Sequence, residues 1–391
     1  LAGEKTIDDI MLNDEQWYID NNITLHKGKT VTEIDRVHRR VVADDGTVAD
    51  YDRLLLATGS NPFMIPVPGK DKDGVIAVRD IHDVDTMLAA ASDYSKAVVI
   101  GGGLLGLEAA NGLMKQGMDV TVVHLLDSLM ERQLDKPASA LLKRSLEERG
   151  MTFLMEAETA EILGNGRVQG VRFRDGSEVE ADLLVMGVGI VPNTELAKNA
   201  GLHCERGIVV NDVMQTFDPR IYAVGECVQH RGIAYGLVAP LFEQGKVVAN
   251  QLAGLGYAHY SGSVTSTKLK VTGIDLFSAG EFNESEGDEV MVLQDPASGT
   301  YKKLVINDDR IKGAVLYGDT LDGTWYFQLM REGTSIADFR KTILFGQHDL
   351  GDAGHGDETR VMALSNDAEI CGCNGVCKGD IVNAISKHGL F

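Results

Sequence analysis

"KAVVIGGGLLGLEAANGLMKQGMDVTVVHLLD", at residues 96–127, decides the fold class of this 391-residue chain. A short apolar run, "AVVI", precedes three glycines in the spacing G-x-G-x-x-G. The following "LEAANGLMKQG" is typical of a helix that stops at Gly117, and "DVTVVHLL" is a second strand-like run. A strand, a glycine turn, a helix and a strand in this order predict a doubly wound α/β fold.

The three glycines predict a dinucleotide site at the turn. Gly101 permits the tight turn, Gly103 lets the backbone approach a pyrophosphate, and Gly106 lets the helix pack closely on the strand. The N-terminus of the helix favours the same negative charge. A glycine-rich turn in another α/β fold is the alternative, and the flanking strands and helix favour the dinucleotide interpretation.

Two segments form an internal repeat, "DDGTVADYDRLLLATGS" at 44–60 and "RDGSEVEADLLVMGVGI" at 174–190. Each begins with an Asp-Gly hairpin signal and ends in an apolar run followed by glycine. Asp45, Gly46, Asp52 and Gly59 each lie 130 residues before Asp175, Gly176, Asp182 and Gly189. The repeat predicts two copies of one domain type. At the same offset the first glycine fingerprint would precede Leu1, so we expect the first copy to lack its front end.

Composition narrows the classes of partner. The chain has 37 basic and 58 acidic side chains and a net charge of −21, which repels nucleic-acid phosphates. Its apolar runs are shorter than a membrane span, and no signal peptide is recognisable at "LAGEKTIDD". Five cysteines do not make a disulfide scaffold, and we expect Cys204 and Cys227 to be buried free thiols. We therefore expect a cytoplasmic protein without nucleic-acid or membrane partners.

The order of motifs carries a family resemblance. "LLLATGS", "VVIGGGLLGLEAANGL", "LLVMGVGIVPNT" and "TFDPRIYAVGEC" resemble the FAD- and NAD-dependent pyridine nucleotide–disulfide oxidoreductases. "HLLDSLMERQLD", "YGLVAPLFEQGKVVANQLAG", "STKLKVTGIDLFSAGE" and "ICGCNGVCKGDIVNAI" narrow the resemblance to the large subunits of assimilatory NAD(P)H nitrite reductases. It covers nearly the whole chain.

This resemblance implies an architecture. It implies two doubly wound three-layer domains that bind FAD and NAD(P)H, a small α+β interface domain and a truncated helical segment like a bacterioferritin-associated ferredoxin. The expected limits are 1–95 and 213–258 for the FAD domain, 96–212 for the NAD(P) domain, 259–345 for the interface domain, 346–365 for a linker and 366–391 for the truncated segment.

The resemblance also implies a function. The chain would be an electron-entry module that passes hydride from NAD(P)H to FAD. Electrons would continue through iron–sulfur and sirohaem centres, which reduce nitrite to ammonia. Expected partners are a C-terminal region that holds sirohaem and a [4Fe-4S] cluster; a small subunit and a homodimer stay open.

Site residues follow from the matched motifs. On the flavin side the resemblance implies Thr58, Gly59, Ser60, Gly225, Glu226, Gln244 and Gly245. On the nicotinamide side it implies Glu108 as the catalytic residue and Gly189 as the strand end near the nicotinamide. Glu108 has an equal alternative as a helix N-terminal acid that favours the dipole. The missing front end would hold the FAD pyrophosphate, so flavin binding is expected to need it.

The position that usually binds the coenzyme ribose departs from the common pattern. Many NAD sites carry an acid at the end of the second strand. Here that position is His124, and the nearest acid is Asp127. Both are expected to contact the coenzyme at its ribose, and the nearest downstream basic residue, Arg132, is not adjacent. The pattern favours NADH and leaves NADPH open.

The three C-terminal cysteines suggest a metal site. The resemblance implies Cys371 and Cys373 as the first two ligands of a [2Fe-2S] cluster, while Cys377 is not a family ligand. Zinc would need four ligands. We expect this segment to lack the cluster and to be mobile or packed by its apolar residues, with a short amphipathic helix after Gly379. Those apolar residues are Ile381, Val382 and Ile385.

Two other functions stay open. A stand-alone NADH-dependent reductase of a rubredoxin- or ferredoxin-type carrier shares the FAD/NAD core, but it needs no C-x-C tail. A non-catalytic nucleotide-binding module is the second alternative, and a flavin that bleaches with NADH would argue against it.

Overall fold

The computed structural model describes residue 6 and residues 10–269, 271, 273–347, 365–371 and 376–388. Most of the predicted linker, and Cys373, lie outside the described residues. Within those ranges, no helix combines the length and the apolar character that a membrane crossing requires.

Short helices and strands alternate along the described residues. The helices are α1 (Glu15–Asp20), α2 (Ile81–Asp93), α3 (Leu104–Lys115), α4 (Lys136–Glu147), α5 (Glu195–Asn199), α6 (Val238–Leu252), α7 (Gly323–Glu332) and α8 (Lys378–His388), with a 3₁₀ turn at Ile343–Phe345. The strands are β1 (Val31–Asp35), β2 (Arg40–Ala43), β3 (Val48–Asp50), β4 (Leu54–Leu56), β5 (Ser60–Pro62), β6 (Val75–Ala77), β7 (Lys96–Ile100), β8 (Asp119–Val123), β9 (Thr152–Leu154), β10 (Thr159–Leu163), β11 (Gly170–Phe173), β12 (Glu178–Glu180), β13 (Leu183–Met186), β14 (Ile190–Pro192), β15 (Ile208–Val210), β16 (Ile221–Ala223), β17 (Val228–His230), β18 (Ser266–Lys268), β19 (Leu276–Gly280), β20 (Glu289–Asp295), β21 (Thr300–Asn307), β22 (Arg310–Tyr317), β23 (Glu369–Cys371) and β24 (Val376–Cys377).

Residues 96–127 contribute two neighbouring inner strands, β7 and β8, to a parallel sheet. Five strands lie in the order β6-β13-β7-β8-β9, and all four pairings are parallel. Val98 and Val99 in β7 are fully buried, as a strand covered on both faces should be. The α/β prediction is confirmed. Strand β6 belongs to the sheet of the second copy, although it precedes the predicted boundary at residue 95. The strand pairing therefore favours an earlier start of the second domain, and the domain limits stay predictions.

The repeat appears as two matching hairpin sheets. Strands β1-β2-β3 form one three-stranded antiparallel sheet and β10-β11-β12 form the other. Their Asp-Gly turns place Gly46 at φ +82° and Gly176 at φ +86°, a conformation that glycine adopts without strain. The hairpins predicted from the two Asp-Gly pairs are confirmed.

The first copy is smaller in the described residues. Strand β4 pairs in parallel with β16, and β15 pairs in parallel with β17. Ile208, Ile221 and Ala223 are fully buried and form the core of this copy together with one side of α6. The first copy therefore has a hydrophobic core of its own.

A third unit packs on the second copy. Strands β18-β19-β22-β21-β20 form an antiparallel sheet, with α7 against β19 and β22. The Tyr301 hydroxyl donates to Asp135 at 2.6 Å, and Lys303, 6% exposed, lies 3.4 Å from the same carboxylate. Tyr317 hydrogen-bonds to Ser145 of α4 at 2.5 Å. One continuous core joins the second copy to this sheet.

The C-terminal segment is a short hairpin followed by a helix. Strands β23 and β24 pair antiparallel, and α8 begins at Lys378, so the helix predicted after Gly379 is confirmed. The segment is expected to be either mobile or packed by its apolar residues, and the exposure of these residues argues against the packed alternative. Ile381, Val382 and Ile385 are 36%, 46% and 43% exposed.

Candidate functional site at the seam of the two copies

The glycine fingerprint forms a bare backbone turn before α3. Gly101 takes φ +121°, and a Cβ on Gly106 would lie 2.0 Å from the Gly101 carbonyl oxygen, so helix and turn touch through backbone alone. Gly103 caps α3 without a side-chain hydrogen bond, and a Cβ there would meet nothing within 4 Å. The backbone at Gly103 thus has open space beside it, at the end of α3 where the helix leaves its first N–H groups without helical partners. This geometry fits a pyrophosphate.

His124 lies directly beneath this turn and is 8% exposed. Its Nδ1 is 3.1 Å from the Gly102 nitrogen, and its Nε2 is 3.0 Å from the Ser128 carbonyl oxygen. Since the amide can only donate, Nδ1 accepts and the ring proton sits on Nε2. Both ring nitrogens are engaged by the protein. The structure therefore shows His124 holding the turn, and its predicted role at the coenzyme stays a prediction.

Asp127 is exposed and points to α4. Its carboxylate accepts from Lys136 Nζ at 2.6 Å and from the Ser128 hydroxyl at 2.8 Å. The Lys136 hydrogen bond is the main cause that lowers the pKa of Asp127. Both carboxylate oxygens are used within the protein, so its predicted ribose contact would require an exchange of partners.

Glu108 is half-buried in the second turn of α3, since the helix begins at Leu104. The first turn of this helix contains no acid. The alternative interpretation of Glu108 as a first-turn acid is therefore weakened, because the dipole effect falls off beyond that turn. Its role at the nicotinamide stays a prediction.

The two copies meet where their matching strands pair. Strands β5 and β14 are antiparallel, with Asn61 opposite Val191, which is its own counterpart 130 residues later. We call this pairing and its flanking hydrogen bonds the seam. The backbone N–H of Asn193 donates to the Gly59 carbonyl oxygen, and the backbone N–H of Phe63 donates to the Gly189 carbonyl oxygen, both at 2.9 Å.

These two hydrogen bonds are counterparts of each other in the repeat. Thr58 adds a third bond across the seam, from its hydroxyl to the Asn193 carbonyl at 2.7 Å. Gly59 and Gly189 have φ values of +64° and +108°. The predicted flavin-side turn and the predicted nicotinamide-side strand end are thus brought together.

The flavin-side residues converge on Glu226. The Ser60 hydroxyl donates to Glu226 Oε2 at 2.8 Å, and Arg79 forms a short ion pair with the same oxygen. Arg79 was missed by sequence reasoning. Arg79 and Glu226 are 147 positions apart, and no local pattern joins them.

Gln244 supports the neighbouring turn from α6. It is 1% exposed, and its side-chain oxygen accepts from the Gly225 amide at 2.9 Å. A Cβ on Gly225 or Gly245 would meet nothing within 4 Å, so backbone is open to a ligand at both positions. The structure brings the predicted flavin residues together, and this open backbone fits a flat, hydroxyl-bearing cofactor such as FAD.

The described residues include two of the three C-terminal cysteines, Cys371 and Cys377. Cys371 ends β23, its side chain is not among those described, and Cys373 lies outside the described residues. Cys377 lies in β24, where its amide donates to Asp380 at 2.9 Å. Among the described side chains, no three His, Cys, Asp or Glu residues are grouped as a metal site. Cys227 is a buried free thiol as predicted, while Cys204 is half-buried and burial raises its pKa.

Comparisons with known proteins agree with this geometry. The sequence profile of the pyridine nucleotide-disulphide oxidoreductase family matches residues 3–245, and that of the rubredoxin NAD+ reductase C-terminal domain matches 266–334. The chain is 52% identical over 389 residues to a nitrite reductase [NAD(P)H] of Bacillus subtilis (strain 168), covering 100% of this chain and 48% of that protein.

Two further similarities extend the comparison. The assimilatory nitrate reductase electron transfer subunit of the same strain is 43% identical over 390 residues, covering 100% of this chain and 50% of that protein. The chain spans about half the length of these curated relatives. The solved NADH:rubredoxin oxidoreductase from Clostridium acetobutylicum is 27% identical with a TM-score of 0.71, and the match covers 88% of this chain and 87% of that one.

Proposed function

The chain belongs to the pyridine nucleotide-disulphide oxidoreductase family, and we propose that it is the electron-entry module of an NAD(P)H nitrite reductase. When bound, NAD(P)H would supply a hydride to FAD, and iron–sulfur and sirohaem centres would carry the electrons that reduce nitrite to ammonia. Similarity along the whole chain to a nitrite reductase and to a nitrate reductase electron transfer subunit supports this proposal. The onward centres would lie outside this chain.

The seam is the observation that carries the proposal. Hydride transfer between two cofactors depends on their mutual orientation more than on an acid or a base. The paired strands β5 and β14 fix the flavin-side Gly59 against the nicotinamide-side Gly189 through backbone hydrogen bonds. The chain would therefore contribute by holding two dinucleotides in register.

Each named side chain then has a positioning task. The turn at Gly103 would hold the coenzyme pyrophosphate, and His124 would hold the turn. Glu226 would accept a hydrogen bond from a ribityl hydroxyl, with Ser60 and Arg79 fixing the direction of its carboxylate. Glu108 would meet the nicotinamide end.

The cysteines would serve the next transfer step. We propose Cys371 and Cys373 as two thiolate ligands of a [2Fe-2S] cluster, which usually has four protein ligands. The remaining two would come from residues outside this chain. Cys371→Ser in a longer protein should abolish the cluster's visible absorption, whereas Cys377→Ser should spare it.

A competition between electron acceptors tests the function. The longest product of the gene is purified anaerobically and given NADH with nitrite, or NADH with a rubredoxin. Ammonia formation that depends on NADH would support the proposal. Reduction of rubredoxin with no ammonia formed would contradict it.

A stand-alone rubredoxin-type reductase is the second candidate. The rubredoxin NAD+ reductase C-terminal profile matches residues 266–334, and the clostridial structure covers most of the chain. The C-x-C sequence after this region favours the first candidate, because a stand-alone reductase does not need it. Failure to bleach FAD with NADH would contradict both candidates and favour a non-catalytic nucleotide-binding module.

A further inference from the structure

The carboxylate of Glu131 lies beside the end of β8. Its Oε2 is 3.3 Å from His124 Nε2, and its side chain is 36% exposed. We infer that Glu131 is the acid that binds the adenosine ribose of the coenzyme and excludes a 2′-phosphate, with His124 as the residue that positions it. This inference rests on the proposed coenzyme site and deepens it.

The tautomer of His124 explains why the acid sits seven positions further along the chain. Because Nδ1 accepts from the Gly102 amide, the single ring proton lies on Nε2 and faces the loop after β8. That proton lies within reach of the Ser128 carbonyl oxygen and of the Glu131 carboxylate. The ring therefore tethers both the glycine turn and the carboxylate. An acid at position 124 could contact the glycine turn and bind the ribose itself. Here His124 contacts the turn, and Glu131 would bind the ribose.

The ring is held too tightly to move to a ribose. A Cβ on Gly102 would lie 2.9 Å from His124 Cγ, so the turn packs directly on the ring. His124 is 8% exposed, whereas Glu131 reaches the surface. Glu131 also lines a cavity of ≈ 540 Å³ between the loop after β8, the start of α4 and the third sheet, together with Asp127, Lys136, Tyr301 and Lys303. Of the two residues, only Glu131 offers polar atoms to a ligand at this strand end.

The neighbouring side chains make the site selective. A carboxylate can accept hydrogen bonds from both ribose hydroxyls, but it repels a phosphate on the 2′ position. Leu125 and Leu126, directly after His124, are 60% and 44% exposed and carry no charge. The neighbouring cation is the exposed Arg132, directly after Glu131, so discrimination against NADPH requires that Glu131 and not Arg132 faces the 2′ position. Lys136 is paired with Asp127. NADH should therefore be preferred over NADPH.

Binding of coenzyme fragments tests this inference without catalysis. ADP-ribose and 2′-phospho-ADP-ribose are titrated calorimetrically into the 391-residue chain. The unsubstituted chain should bind ADP-ribose more tightly. Glu131→Gln should weaken ADP-ribose by about tenfold, through loss of a charged acceptor, and tighten 2′-phospho-ADP-ribose by about tenfold.

Two further variants separate the possible causes. Glu147→Gln, which removes an exposed acid paired with Lys143 at the far end of α4, should leave both dissociation constants unchanged. Asp127→Asn tests the rival acid. If this variant, and not Glu131→Gln, loses the preference for ADP-ribose over 2′-phospho-ADP-ribose, the inference is overturned. Unchanged constants in Glu131→Gln, with the unfolding midpoint preserved, would also overturn it while leaving the proposed function intact. Failure of the unsubstituted chain to bind ADP-ribose would overturn both.

Discussion

The two copies of the repeat share their hairpins and their seam strands but differ around the central strand. In the second copy β13 is paired on both edges, by β6 and β7. In the first copy its counterpart β4 is paired on one edge, by β16, among the described strands.

This difference separates two binding modes. The second copy contains a strand, a bare turn and a helix N-terminus within residues 96–115, so it can hold a pyrophosphate by itself. The first copy contributes side chains and single glycines at the seam, in particular Ser60 and Glu226. Within these residues, coenzyme binding should therefore depend on a few backbone atoms at the turn, whereas the flavin contacts available for substitution are side chains around Glu226.

The largest expected effect comes from adding one methyl group in the fingerprint. Gly106→Ala would place a Cβ 2.0 Å from the Gly101 carbonyl oxygen, where only backbone could give way. We expect it to lower the free energy of unfolding by about 3 kcal/mol, at the upper end for overpacking. Urea unfolding measures it.

Gly103→Ala is the matched control for that substitution. Its Cβ would meet no protein atom within 4 Å, so stability should stay unchanged. Coenzyme affinity should fall by about tenfold, because the methyl group occupies the path of the pyrophosphate. If Gly106→Ala were as stable as the unsubstituted chain, the close contact between turn and helix would be refuted.

A smaller effect is expected where the second copy joins the third sheet. Asp135 caps α4 by accepting from the Ala138 amide, accepts from the Tyr301 hydroxyl and lies beside the buried Lys303. Asp135→Ala should lower the free energy of unfolding by about 2 kcal/mol, because a cap is lost and a buried cation keeps one partner fewer. Asp71→Ala, an exposed acid paired with Lys70, is the control and should change stability little. Equal stability of the two variants would contradict a structural role for this junction.

The smallest expected effect concerns the first copy. Glu226→Gln removes the charge that Arg79 and Ser60 hold in place, and FAD should bind about tenfold more weakly. NAD+ affinity should not change, since that site lies in the second copy. Fluorescence titration of the longest product of the gene with each cofactor measures both constants. A parallel loss of NAD+ affinity would show that the copies do not bind independently.

Local patterns in the sequence predicted the parts of the fold that depend on neighbouring residues. The glycine fingerprint, the Asp-Gly hairpins and α8 follow from spacing within about one element. The ion pair of Arg79 with Glu226 joins distant segments, and the contact of Glu131 with His124 depends on a ring tautomer. Spacing could not reveal either one.

The C-terminal helix shows a related limit. Its apolar spacing correctly predicted a helix with one apolar face, containing Ile381 and Ile385. Spacing defines such a face but does not specify what covers it, and these side chains are exposed in the described structure. The domain limits were set from motif order alone, and the pairing of β6 with β13 depends on a contact that motif order does not encode.

Anaerobic mixing of the FAD-loaded longest product of the gene with NADH tests the central claim most directly, namely that the seam aligns the two cofactors for hydride transfer. The visible absorption of the bound flavin is followed with NADH and with NADH deuterated at the transferred hydrogen. The seam predicts rapid bleaching that slows on deuteration, because the hydride passes directly to the flavin. If both cofactors bind and the flavin stays oxidised, the two sites do not face each other and the account is wrong.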